Sequence, residues 1–119
     1  MVSDGIYDHH LSQNAANYVP LTPISFLERT ADIYPYRTSV VYGKRRATWT
    51  ETHGRALALA SALRRRGIGT GDTVAILSAN IPEMFEAHFG VPMSGAVLNA
   101  INVRLDADTV RFILGHGEA

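Results

Sequence analysis

Apolar and polar positions recur along this chain with two periods, about 3.6 residues and about 2 residues, which are typical of helices and strands. Residues 1–21 are mostly small and polar and follow neither period, which predicts an irregular lead-in. Thr22 can cap a helix, and Pro23 is tolerated in its first turn. Apolar residues then recur at helical spacing until Pro35, so the pattern predicts a helix over 23–34.

A β-hairpin and a second helix are predicted next. β-branched and aromatic residues at 38–42 and 47–49 flank a polar, glycine-containing turn at 43–46. Thr50 is the predicted cap of the second helix. The apolar stripe of that helix consists of Ala56, Leu59, Ala60 and Leu63.

The second half of the chain alternates short apolar runs with helical patterns. The run at 73–77 predicts a strand covered on both faces, and 96–98 predicts a second such strand. Pro82 opens the helix between them, and Pro92 is expected to kink this helix or end its regular part. Asp106 can cap a last helix, which the glycines at 115 and 117 end. Its inward residues are expected to be Ala107, Val110, Ile113 and Leu114.

From residue 50 onward the order is helix, strand, helix, strand, helix. This order favours a parallel sheet with helices on its faces, and therefore the α/β class. Two or three short strands make a poor sheet, because outer strands expose their edges and buried strands need neighbours. The sheet is therefore expected to be incomplete, and the chain to be part of a larger α/β domain.

Composition excludes several classes of protein. The chain has 119 residues, and its eleven Lys and Arg balance eleven Asp and Glu. This balance argues against a generic nucleic-acid binder, and the absence of cysteine excludes disulfides, Cys-ligated zinc and thiol catalysis. No apolar run approaches the roughly 20 residues of a membrane span, and the N-terminus lacks a secretory signal. Cytoplasm is the default location.

Histidines are the first candidates for chemistry, and none stands in a recognisable catalytic pattern. His9 and His10 are adjacent in the polar N-terminal stretch, and without a third ligand they predict solvated chain rather than a metal site. His53 and His116 are expected at the surface. His88 lies in an apolar helix, where a buried and hydrogen-bonded imidazole is expected rather than a catalytic base.

Glycine and charged runs also have structural explanations. The stretch 67–71 holds three glycines, but it precedes a strand, so a helix cap and turn are expected instead of a phosphate loop. The basic run 44–46 belongs to the hairpin turn, and 64–66 complements the negative end of a helix. Asp106 and Asp108 are expected to be a cap and a dipole partner. The residues alone therefore predict no catalytic group and no metal ligand in this chain.

Eight stretches, taken in order, resemble the AMP-forming acyl-CoA synthetases of the adenylate-forming superfamily. They include NYVPLTPISFLER at 17–29, GVPMSGAVLN at 90–99 and NVRL at 102–105, and it is the ordered series rather than any single stretch that is specific. The others lie at 34–42, 48–51, 63–67, 71–75 and 79–83. The resemblance covers nearly all of the chain from about residue 11, and its first stretch is similar to the short- and medium-chain branch of the family.

This resemblance implies that 22–119 form the N-terminal part of an AMP-binding domain. Members of the family activate a small carboxylic acid with ATP and magnesium, release pyrophosphate, and pass the acyl group to coenzyme A with release of AMP. Their phosphate loop, nucleotide-binding motifs and C-terminal lysine all lie downstream of this segment. The catalytic residues are therefore expected beyond residue 119, and the chain alone is expected to be inactive and to bind none of these cofactors.

One position carries a binding role by resemblance. Arg104 occupies the arginine of the family's Asn-x-Arg-Leu element, which in some relatives meets the phosphates of coenzyme A. A guanidinium suits phosphate because its donors are forked and always charged. The other explanation of Arg104 is a solvated loop residue before a helix.

Two alternative functions stay open. A free-standing α/β interaction module without catalysis would dock a partner on its bare edges and patches. Another adenylate-forming enzyme, of the amino-acid-adenylating or luciferase type, would keep the fold and change the chemistry. The ligase hypothesis predicts that the chain alone is poorly soluble or molten, so a sharp, cooperative melt of the monomer would contradict it.

Overall fold

A computed structural model describes residues 14–16 and 18–119, in which helices and strands follow each other in the predicted order. His9, His10 and most of the predicted lead-in lie outside the described residues. The elements are α1 Pro23–Ile33, β1 Thr38–Tyr42, β2 Arg45–Thr48, α2 Trp49–Arg64, β3 Thr73–Leu77, α3 Pro82–Ser94, β4 Val97–Ile101 and α4 Ala107–His116.

Helix α1 begins as its sequence predicts. The Thr22 side chain accepts the backbone N–H of Ser25, and the Ser25 side chain accepts the backbone N–H of Thr22. This reciprocal capping box satisfies two N–H groups that a helix start otherwise leaves without partners. Leu27 and Ala31, one turn apart, are the buried residues of α1.

The hairpin is confirmed, but its turn is shorter than predicted. Tyr42 pairs with Arg45, so Gly43 and Lys44 alone form the turn, and Arg45 and Arg46 belong to β2. Gly43 has a φ of +57°, a conformation that costs glycine little. The shorter turn places the Arg45 side chain on a strand, where it reaches α3.

The predicted cap of α2 was wrong by two residues. Thr48 caps the helix: its hydroxyl accepts the backbone N–H of Glu51 at 3.2 Å, and the Glu51 carboxylate accepts the backbone N–H of Thr48 at 2.7 Å. Thr50 lies inside α2, and its hydroxyl donates to the carbonyl of Pro35 at 3.1 Å. The capping box at Thr48 is favoured because it satisfies the backbone N–H groups of both Thr48 and Glu51. A cap at Thr50 would leave the Glu51 carboxylate without a role in the cap.

Helices α2 and α3 pack closely through small residues. A Cβ placed on Gly90 of α3 would lie 2.9 Å from the carbonyl oxygen of Ala56 and 2.8 Å from Cδ2 of Leu59, both on α2. On its other side α3 covers the β3–β4 sheet through Ala87 and Val91. Helix α3 is therefore the centre of the core, between one helix and one sheet.

Helix α3 runs past Pro92 to Ser94, so the expected break falls two residues later than the proline. Gly95, with a φ of +96°, ends the helix in the left-handed conformation. The guanidinium of Arg64 donates to the carbonyls of Met93 and Ser94 at 3.0 and 3.4 Å. Arg64 thus caps a neighbouring helix as well as standing at the end of its own.

The β3–β4 sheet is parallel and, among the described residues, has two strands. Its register pairs Thr73 with Val97 and Leu77 with Ile101. The expectation of an incomplete sheet in an α/β fold is confirmed. The expectation that β3 is covered on both faces is wrong here, because its residues are half-buried and Leu77 is 54% exposed.

Helix α4 is the most exposed helix. Asp106 caps it as predicted, accepting the backbone N–H of Thr109 at 2.9 Å. Of its predicted inward residues, Val110, Ile113 and Leu114 are half-buried, whereas Ala107 is exposed. Gly115 lies inside the helix, and the cap falls on the glycine at 117. No residue of α4 is fully buried, because little of the described chain packs against it.

Candidate functional site at the ends of the parallel strands

An open cleft of about 520 Å³ lies where β3 and β4 end. Because the two strands are parallel, their carboxyl ends meet at one edge of the sheet, which is where open α/β sheets bind ligands. The lining residues come from the loop after β3, from α3, and from the end of β4 and its loop: Ser78, Ala79, Asn80, Met84, His88, Ala100, Ile101, Asn102, Val103 and Arg104.

Arg104 lines this cleft on the loop between β4 and α4. The loop is shaped by Asn102, whose side-chain oxygen accepts the backbone N–H of Arg104 at 3.0 Å and whose carbonyl accepts that of Leu105 at 3.3 Å. The Arg104 side chain is exposed, and its guanidinium makes no hydrogen bond or ion pair with residues 14–16 or 18–119. A residue that lines the cleft therefore has a permanent charge without a partner in the described part of the chain.

His88 projects from α3 into the same cleft. Its Nδ1 lies 2.8 Å from the carbonyl oxygen of Met84, one turn earlier. The predicted hydrogen bond is confirmed, but the predicted burial was wrong, because the residue is exposed. Sequence periodicity missed this, since His88 lies at the boundary between the buried face of α3 and the cleft.

A second cavity, of about 460 Å³, adjoins the cleft between β1 and α3. Its walls are mainly apolar, with Val40 and Val41 on the hairpin and Phe85 and Phe89 on the helix. The two phenylalanine rings meet edge to face, with centroids 5.2 Å apart. Asn80, Met84 and His88 line both cavities and so form the wall between them.

Four charged side chains join the hairpin, α2 and α3 beside the core. Arg45 donates to Glu83 at 2.7 Å, and Arg55 donates to Glu86 at 2.5 Å. The Glu86 side chain is only 8% exposed, so its charge depends on these arginines. Its hydrogen bond raises the pKa of Arg55, and the hydrogen bond from Arg45 lowers the pKa of Glu83.

No local sequence pattern predicts this ion-pair cluster, because its partners are 31 and 38 residues apart. No local pattern links residues at such distances. The cluster stabilises the orientation of α3 against the hairpin, and α3 carries His88 into the cleft. Its role is thus to position an element of the site.

The remaining candidates lie outside the cleft. Gly67 and Gly71 have φ values of +80° and +96°, which confirms the predicted cap and turn at 67–71. Asp108 pairs with Arg111 at 3.0 Å on exposed α4, and hydrogen bonds from Thr109 lower the pKa of Asp106. None of these groups faces the strand ends.

Two histidines differ in how well the surface prediction fits. His116 is exposed and stacks on Phe112, with ring centroids 5.5 Å apart. His53 is half-buried, and its Nε2 is a buried atom without a hydrogen-bond partner, so the surface prediction was wrong for this residue. The polar residues at the start of α2 gave no indication that the His53 ring has a buried Nε2.

Within the described part of the chain, no three His, Cys, Asp or Glu side chains come together in a way that could hold a metal ion. In the same ranges, no helix is long and apolar enough to cross a membrane. The cleft instead combines a free guanidinium and an exposed imidazole with polar backbone loops. That arrangement suits an anionic group on a small organic ligand.

The fold and the cleft define an α/β segment with an open cleft, a candidate ligand site, at the ends of two parallel strands. The family model for AMP-binding enzymes matches residues 27–119. The chain therefore belongs to the AMP-binding enzyme family, and the resemblance found in its sequence is confirmed.

Relatives are known in both sequence and structure. Acetate–CoA ligase CCL3 of Humulus lupulus is 53% identical over 109 residues, which are 92% of this chain and 19% of that protein. The peroxisomal acetate/butyrate–CoA ligase AAE7 of Arabidopsis thaliana is 57% identical over 104 residues, 87% of this chain and 18% of its own. A solved fatty acyl CoA synthetase of Mycobacterium tuberculosis superposes with a TM-score of 0.76 at 32% identity, over 80% of this chain and 19% of that one.

The chain spans about a fifth of the length of the curated relatives that it matches. The matched segment, about a fifth of those relatives, contains the α2–α3 core, the parallel strand pair and the cleft. Any activity of the family belongs to a protein about five times as long.

Proposed function

We propose that this chain is the N-terminal segment of an ATP-dependent ligase that joins a short- or medium-chain carboxylic acid to coenzyme A. Its support is the identity of 53% and 57% to ligases named for acetate and butyrate. Residues 22–119 would form the first part of the AMP-binding domain, after a lead-in at 1–21. The catalytic groups would lie in the part of the enzyme that follows.

In the proposed reaction, a carboxylate oxygen attacks the α-phosphorus of ATP, and pyrophosphate leaves. The thiol of coenzyme A then attacks the acyl carbon, loses its proton, and displaces AMP. Magnesium, when bound, neutralises phosphate charge in the first step. The described residues offer no cluster of metal ligands, so we assign no magnesium ligand to this chain.

Within that enzyme, we assign Arg104 to the phosphates of coenzyme A. Arg104 lines the cleft and is exposed, and the residues that line this cleft include no carboxylate that could neutralise its charge. The Asn102 hydrogen bond fixes the backbone from which the side chain extends. A forked, permanently charged group on a fixed loop is suited to hold a phosphate while the thiol reacts elsewhere.

A chimeric ligase tests the proposed function. In it, this chain replaces the matching 104 residues of AAE7, to which it is 57% identical. We expect acid-dependent formation of acyl-CoA and AMP from acetate and butyrate. A folded chimera that forms no adenylate from any carboxylic acid would contradict the proposal. Reading the gene past codon 119 for a Thr/Ser-Gly-rich loop followed by Pro-Lys checks it independently.

Arg104→Ala in the chimeric ligase tests the assigned residue. We expect the KM for coenzyme A to rise about tenfold, the effect of one charge-assisted contact, while the KM for acetate stays the same. Arg111→Ala is the matched control, because Arg111 is exposed on α4, where it pairs with Asp108 and does not line the cleft. An unchanged KM for coenzyme A in Arg104→Ala would refute the assignment.

A further inference from the structure

His88 is a second residue of the cleft that could bind a charged ligand, and its two ring nitrogens have different roles. Nδ1 lies 2.8 Å from the Met84 carbonyl oxygen, which can only accept a hydrogen bond, so Nδ1 carries the proton. Nε2 makes no hydrogen bond with any described residue. In the neutral ring Nε2 is therefore an acceptor, and after protonation it becomes a charged donor.

The described residues that line the two cavities beside His88 include no acid. Among the residues lining its two neighbouring cavities, the titratable or charged ones are Tyr42 on the hairpin and Arg104 on the loop after β4. With no carboxylate facing the ring, an imidazolium there would share the cleft with a guanidinium only. An anion bound between these two side chains would interact with both, and its charge would favour the form of the imidazole that donates from both nitrogens.

We propose that His88 is a pH-dependent binding residue of this cleft, whose protonated Nε2 donates to a phosphate of the ligand that Arg104 also holds. The proposal rests on the proposed function for the identity of the ligand, the nucleotide part of coenzyme A. Arg104 supplies a charge at every pH, whereas His88 adds one only when the solution provides a proton. Binding of the phosphorylated ligand is accordingly coupled to proton uptake, and it weakens as the pH rises.

Two substitutions of His88 separate its nitrogens. His88→Gln keeps a neutral donor near the position of Nε2, and His88→Asn keeps a donor near Nδ1 for the Met84 carbonyl. Neither side chain can become charged, so both variants lose the pH-dependent part of binding. His116→Gln is the matched control, because His116 stacks on Phe112 on α4, away from the cleft.

Calorimetry of coenzyme A binding to the chimeric ligase measures proton uptake directly, without turnover, when it is repeated in buffers of different ionisation enthalpy. We expect net proton uptake near neutral pH in the parent and in His116→Gln, and less in both His88 variants. At pH 6 the Kd of the His88 variants should be about three- to tenfold higher than that of the parent, and at pH 8.5 equal to it.

A second measurement uses pantetheine as the acyl acceptor, because it keeps the thiol and lacks every phosphate. Its KM as acyl acceptor should be the same in the parent and in both variants at each pH. Equal proton uptake and equal pH slopes for coenzyme A in parent and variants would overturn the proposal for His88. An inactive chimera that still shows the His88-dependent proton uptake would instead refute the proposed function alone.

Discussion

Gly90 allows the close approach of α2 and α3, and Gly90→Ala is expected to weaken the core. The added Cβ would lie 2.9 Å from the Ala56 carbonyl oxygen and 2.8 Å from Leu59 Cδ2, whereas ordinary contact begins at 3.4 Å. The leucine side chain can turn aside, but the carbonyl belongs to the backbone of α2. The two helices must therefore separate by about half an ångström, the difference between 3.4 and 2.9 Å.

The size of the effect follows from two opposing terms. Overpacking of a core costs about 1–3 kcal/mol, and replacing glycine by alanine inside a helix gains about 1 kcal/mol. The net loss for Gly90→Ala is about 0–2 kcal/mol. Gly54→Ala in α2 is the matched control, because a Cβ there meets nothing within 4 Å. It gains the propensity term alone, so the difference between the two variants, about 1–3 kcal/mol, isolates overpacking.

Native-state hydrogen exchange in the chimeric ligase measures this difference where it arises. The opening free energy of amides in α2 and α3 should be lowest in Gly90→Ala and highest in Gly54→Ala. A difference of 1.4 kcal/mol changes the exchange rate about tenfold. If Gly90→Ala protects these helices as well as Gly54→Ala does, the close approach does not limit the packing, and the reasoning is refuted.

Two further predictions concern charge. Glu86→Gln removes the negative charge of the group that accepts the Arg55 hydrogen bond and should lower stability by about 1–2 kcal/mol, reduced by the exposure of the arginine. Asp108→Asn on exposed α4 should change thermal stability little, and equal effects would contradict the role of the cluster. The backbone hydrogen bond from Thr48 lowers the pKa of Glu51 from 4.5, so its contribution to stability is present above pH 4.5 and is lost as the pH falls below that value. Acid unfolding should show this dependence in the parent and lose it in Glu51→Gln, and an identical acid transition in both would refute the assignment.

Features set by neighbouring residues could be predicted from the sequence. The Thr22 cap and Pro23, the Asp106 cap and the glycine turn at 67–71 each depend on side chains a few residues apart, and each was confirmed. The misplaced cap of α2 belongs to the same class. Thr48 and Glu51 form a capping-box pattern in the sequence. Because residues 47–49 were assigned to a strand, Thr48 was not considered as the start of the helix.

The site required the tertiary structure. Arg104 could be singled out by resemblance, but only the parallel pairing of β3 and β4 shows that its loop opens onto a cleft shared with α3. His88 was expected to be buried, but it is exposed. Helical periodicity predicts which face of α3 is apolar, and it does not predict where the element packed against that face ends.

The sequence by itself determined the order of the elements, most of their caps, the α/β class and the family. Tertiary structure decided which charges meet, since Arg45 and Arg55 find Glu83 and Glu86 across 31–38 residues of chain. Among the described residues, it also left the Arg104 guanidinium and Nε2 of His88 without hydrogen-bond partners at the cleft. The physical reason is range: capping and turn formation act within a few residues, whereas burial and charge pairing depend on surfaces that exist only after the elements have packed.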